Sequence, residues 1–122
     1  MKFYRGDKSE NFKIKNTLSR YNVPCLFFSK NKDLAKKYQE HFNGYLYEFD
    51  IKEPTKIINF NFQITHSSEF RNLIMSLRNQ NHQSVLIKNC IDYPKEIHQM
   101  IEDDILIVFD FNTILSYQKI DF

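Results

Sequence analysis

The chain has 122 residues, 42% hydrophobic, 16% aromatic and 26% charged, with 12 Phe, 7 Tyr and no Trp. That length suits a single domain, residues 1–122, whose core needs no metal or disulfide staple. The aromatic content excludes a disordered chain, and 2 Gly with 3 Pro exclude collagen-like and linker-like sequences. Lys+Arg 17 against Asp+Glu 15 leaves +2, too balanced for an obligate nucleic-acid binder. The closest basic group, Lys30, Lys32, Lys36 and Lys37, reads as a solvated helix face or else a weak phosphate-attracting surface.

Lys2 to Gly6 reads as a strand ended by the Gly6-Asp7 turn signal. Residues 8–22 are polar and aperiodic, a surface loop with at most one helical turn. Val23 to Phe28 is an apolar run of strand length. The period then changes: Leu34, Ala35, Tyr38 and Phe42 share one helical face. Ser29 or Asn31 is the candidate cap, Asp33 suits the first turn, and Asn43-Gly44 ends the helix. Tyr45 to Ile51 is a strand broken before Pro54, and Ile57 to Phe62 a further short one. Ser67 caps a second helix with Phe70, Leu73, Ile74 and Leu77 at i, i+3, i+4 and i+7. Ser84 to Lys88 is a strand with a continuous apolar centre. Pro94 suits the start of a short helix with Ile97 and Ile101 four apart. Glu102-Asp103-Asp104 reads as a solvated turn, Ile105 to Phe109 as a central strand, and Thr113 to Ile120 as a strand closing the sheet. Helices are too few for a doubly wound fold, so the pattern predicts an α+β domain with a split or two-sheet β core and two main helices.

Common catalytic templates are absent. Two distant glycines exclude GxGxxG and Walker loops. His41, His66, His82 and His98 have no metal-ligand spacing and read as surface or structural residues. No Ser or Cys stands in a nucleophile elbow. Cys25 and Cys90 lie in or beside apolar runs and read as buried free thiols, which suits a reducing, cytoplasmic compartment. The N-terminal MKFYRGDKSE has no apolar core of a secretion signal, and no apolar run approaches the roughly 20 residues that span a bilayer.

One set of residues points further. Phe3-Tyr4-Arg5-Gly6-Asp7, Leu26-Phe27-Phe28-Ser29 leading into a helix at 31–42, Val85-Leu86-Ile87-Lys88-Asn89, and Leu106-Ile107-Val108-Phe109-Asp110 with Ile114 following come in the order of the ADP-ribosyltransferase family. The chain resembles both its bacterial-toxin and its poly(ADP-ribose) polymerase branches over most of its length.

The resemblance implies the split two-sheet core and NAD as co-substrate. By it, Arg5 would help hold the dinucleotide, since a planar fork suits phosphate. The Gly6 backbone would bond the nicotinamide carboxamide, where a side chain would obstruct. Phe27 and Tyr38 would sandwich the pyridinium, or else belong to the core. Ser29, beside Phe28 at the strand end, would bond NAD or position an acid, or else cap the helix. The family's catalytic Glu falls on Ile105, which can neither bond ribose nor stabilise an oxocarbenium-like transition state. Asp103, on the face of Ile105, is the expected substitute. Asp104 would serve instead through a bulge.

Two functions follow. One is a mono-ADP-ribosyltransferase acting on a macromolecule, most simply a protein, without membrane or nucleic-acid partners. The other is an inactive module of the same fold, a toxin-like effector or phage-type inhibitor that binds a partner protein. RNA phosphotransferase chemistry would need more cleft cations than Arg5, Arg71 and Arg78.

Overall fold

The computed structural model describes residues 1–12 and 24–120. Seven strands, β1 (Lys2–Asp7), β2 (Leu26–Ser29), β3 (Tyr45–Ile51), β4 (Lys56–Ile64), β5 (Ser84–Asp92), β6 (Ile101–Val108) and β7 (Ile114–Ile120), form one sheet in the order β4-β5-β6-β2-β1-β3-β7. Two helices, α1 (Lys32–Phe42) and α2 (Ser68–Asn79), complete an α+β architecture. All pairs are antiparallel except β4–β5, which α2 connects. A parallel pair requires such a crossover.

The expected two-sheet core is corrected to one continuous sheet, but its continuity is thin at one place. β1 and β2 share a single registered pair, Tyr4 with Ser29, whereas β1 pairs with β3 at six positions. The sheet is therefore nearly divided between a β4-β5-β6-β2 part and a β1-β3-β7 part.

Each face carries its own core. On one face, Leu34 of α1 and Phe70, Ile74 and Leu77 of α2 pack on Val85, Ile87, Ile105, Ile107, Cys25 and Cys90. On the other, Phe3, Leu26, Phe28, Tyr47, Phe49, Leu106 and Val108 gather around Phe12, with the Phe28 and Phe49 rings 4.6 Å apart. The continuous apolar run 105–108 is thereby explained: β6 is buried on both sides.

Local chemistry sets the element ends. Asn43 adopts the left-handed conformation (φ 51°) and Gly44 N–H donates to the Gln39 carbonyl, closing α1. The Ser67 hydroxyl accepts from Phe70 N–H and opens α2. Asn31 is the N-terminal flanking residue of α1, but its side chain does not cap. Pro94 starts no helix containing Ile97 and Ile101: residues Ile97–Gln99 form one 3-10 turn and Ile101 begins β6. A side-chain capping box between Glu96 and Gln99 holds that turn. The expected turn at Glu102-Asp103-Asp104 is instead part of β6, with Asp103 buried. The expected loop over residues 8–22 lies largely outside the described residues. Cys25 and Cys90 are buried free thiols. Among the described residues no helix is long and apolar enough to cross a membrane.

Leu106 is fully buried in the central strand. Leu106→Ala should cost about 3 kcal/mol through lost burial and the cavity left behind, read from the shift in urea midpoint at unchanged slope.

Candidate functional site

The near-division between β1 and β2 opens a pocket of about 480 Å³, a size typical of small-molecule sites. β1 and β2 line it with Tyr4, Arg5, Gly6, Phe27, Phe28 and Ser29. α1 contributes Ala35, Tyr38, His41 and Phe42, and Thr65, Phe70, Asp92, Pro94 and Ile105 complete the lining. Arg5, Gly6, Phe27, Phe28, Ser29 and Tyr38, expected to act together from sequence, thus meet at one cavity.

Arg5 spans the gap. Its Nη1 donates to the Phe27 carbonyl at 2.9 Å and its Nε to Asp7 at 3.2 Å. A guanidinium here supplies the donor that a regular ladder would take from backbone. Phe27 and Tyr38 both pack partly against the helix-covered core while lining the pocket. Ser29 is buried and lies opposite Ile105 in the β2–β6 register.

Gly6 has a different reason from the one its sequence context implies. A Cβ at Gly6 would collide with the Ala35 carbonyl and the Gln39 amide of α1. The missing side chain lets strand and helix backbones touch. Ligand access is not what demands it.

The two acidic candidates stand away from the cavity lining. Asp103 does lie on the face of Ile105, but its carboxylate accepts from the Asn31 backbone N–H (3.3 Å), the Asn31 side-chain amide (3.1 Å) and the Asp104 N–H (2.7 Å). It closes the N-terminal end of α1, the work expected of Ser29 or Asn31. Burial pushes its acid up to about 7 against those donors. Asp104 accepts from Asn89 N–H at 2.9 Å and pairs with Lys30 at 3.7 Å. It satisfies the amide that a bulge in β5 leaves without a ladder partner.

The carboxylate that does face the pocket is Asp92, which the sequence did not single out. It accepts from Tyr38 Oη (2.8 Å) and Thr65 Oγ1 (2.5 Å), with His66 Nε2 at 3.2 Å. Nε2 also lies 2.6 Å from the Tyr93 carbonyl. Both neighbours only accept, so this nitrogen carries a hydrogen. The His66 ring stacks on Tyr93, centroids 4.1 Å apart. Burial alone would raise the Asp92 acid, but donors from His66, Thr65, Tyr38 and the Tyr93 backbone hold it below the ordinary value. The fold thus keeps one buried aspartate ionised and makes another reluctant to ionise. Cys90 is no nucleophile: burial, then Asp92, Asp104 and Asp103, push its thiol up to about 12. No group of metal ligands occurs among the described residues.

No family model, curated protein or solved structure matches the chain.

Two outcomes follow. Gly6→Ala should destabilise the protein by about 3 kcal/mol through overpacking against α1, seen in denaturant titration without ligand. For Asp103, the folded acid lies above its unfolded value of 3.8, so its contribution is full below about 4 and is lost as pH rises through about 7. Stability of the wild type should decline across that window relative to Asp103→Asn, measured by urea unfolding at stepped pH.

Proposed function

We propose that this chain is a NAD-binding mono-ADP-ribosyltransferase of the ADP-ribosyltransferase-like fold, modifying a macromolecular target, most simply a protein. The observation that carries this reading is the convergence of Arg5, Gly6, Phe27, Phe28, Ser29 and Tyr38, from three separate elements, on one cavity at the β1–β2 split.

The residues suit the ligand in chemical kind. Phe27, Tyr38 and Phe42 offer aromatic surface for a flat ring, and a cationic pyridinium gains about 1–2 kcal/mol from such a face when desolvated. Arg5 offers a permanent positive fork for pyrophosphate. Its bond to Phe27 and its pairing with Asp7 fix its direction in advance, at the cost of part of its charge. Ser29 stands at the strand end beside the seat of the usual acid.

That seat holds Ile105. Single transfer then uses either Asp103, which would have to exchange its bonds to Asn31, or a carboxylate supplied by the target. Polymer synthesis is not part of the proposal.

A second reading has a specific observation behind it. Ile105 opposite Ser29, with Asp103 committed to Asn31, leaves the expected catalytic position apolar. A module that keeps the NAD pocket and acts by contacting a partner protein, as an effector or inhibitor, fits that arrangement.

Titration calorimetry with NAD should show saturable binding that Arg5→Ala weakens about tenfold, the loss expected for one charge-assisted contact. Identical isotherms for wild type and variant would remove Arg5 from the site. Incubation with labelled NAD and a cell lysate should give a labelled protein band. Binding without label or NAD hydrolysis selects the module.

A further inference from the structure

We infer that Asp92 makes the pocket selective for a cationic ring, so that it takes the oxidised dinucleotide in preference to the reduced one. The inference rests on the NAD reading above and adds a residue and a specificity to it.

The pocket lining includes both Arg5 of β1 and Asp92, which is only 7% exposed and stands with Thr65 and Pro94 in that lining. Tyr38 also lines the cavity, and its hydroxyl sits 2.8 Å from the Asp92 carboxylate. A ring stacked on Tyr38 therefore lies within about one ring length of a negative charge.

That charge is available as a field and not as a bonding partner. Its oxygens already accept from Tyr38, Thr65 and His66, and the Tyr93 N–H adds a fourth donor. A carboxylate with its lone pairs occupied has little to offer a ligand by direct contact. Its Coulomb attraction persists, and for a carboxylate only 7% exposed it is less damped than at a surface.

Cys90, on the same face of β5, remains a neutral thiol near neutral pH because its acid lies at about 12. His41 lines the pocket from α1 but is exposed, so solvent screens it. Asp103 belongs to the end of α1 and is not part of the lining. His66 is in direct contact with Asp92, its Nε2 at 3.2 Å from the carboxylate.

NAD+ and NADH differ at the ring and share the rest of the molecule. The pyridinium is cationic and the dihydropyridine neutral, so their affinity ratio reports the field at the ring, while Arg5 acts on the pyrophosphate common to both.

The experiment is calorimetry at pH 8 with NAD+ and with NADH, on the wild type and on Asp92→Asn. The wild type should bind NAD+ about tenfold more tightly, the scale of one partly screened charge pair. The asparagine variant should bring the ratio to within about threefold by weakening NAD+ alone. If this variant does not melt cooperatively, Asp92→Ser replaces it, because water can then satisfy Tyr38 and Thr65. As a phosphate-free check, 1-methylnicotinamide should outcompete neutral nicotinamide on the wild type. Equal wild-type affinities for NAD+ and NADH, or a folded variant that keeps the ratio, overturn the role of Asp92 and leave the NAD pocket standing. Failure of the wild type to bind either form overturns the NAD reading and the selectivity with it.

Discussion

The hydrogen-bond ladder nearly stops between β1 and β2, and the rest of the molecule is arranged around that interruption. A regular antiparallel pair there would bring the two backbones together over several residues and leave no cavity. Here one registered pair, Tyr4 with Ser29, holds the strands, and a guanidinium does what amides do elsewhere, with Arg5 donating to the Phe27 carbonyl. The opening thus does not leave that carbonyl unpaired.

The helix α1 forms the roof of this opening, and its height is set by Gly6. Because no Cβ stands between them, the Ala35–Gln39 turn of α1 rests directly on β1. That contact brings Tyr38 over the cavity. The other end of α1 is tied down by Asp103, which takes the Asn31 amide at the positive end of the helix. One residue without a side chain and one buried carboxylate therefore fix both ends of the same aromatic wall.

Three aspartates within thirteen residues of chain serve three different ends. Asp92 faces the pocket in a shell of donors, Asp103 anchors α1, and Asp104 repairs the bulge in β5. Their chemistry is the same; only the donors around them differ. Asp103, the carboxylate favoured from the sequence, is buried and is not among the residues that line the pocket.

The periodic segments were legible in the sequence. Leu34, Ala35, Tyr38 and Phe42 mark α1, Phe70, Leu73, Ile74 and Leu77 mark α2, and residues 105–108 mark a strand buried on both faces, because apolar burial repeats with the geometry of each element. The group Arg5, Gly6, Phe27, Phe28, Ser29 and Tyr38 was also legible, as a set of residues in a particular order. The location of the acid was not. By strict alternation from Val85 and Ile87, which face the helices, Asp92 would point to the opposite face. The bulge around Asn89, at φ 59°, inserts a residue, and Cys90 then joins the helix-covered core with Asp92 following its direction toward Tyr38. A bulge depends on partners distant in sequence, here the Asp104 carboxylate and the Asn59 side chain that hold Asn89, so only the assembled sheet decides which face a residue beyond it takes.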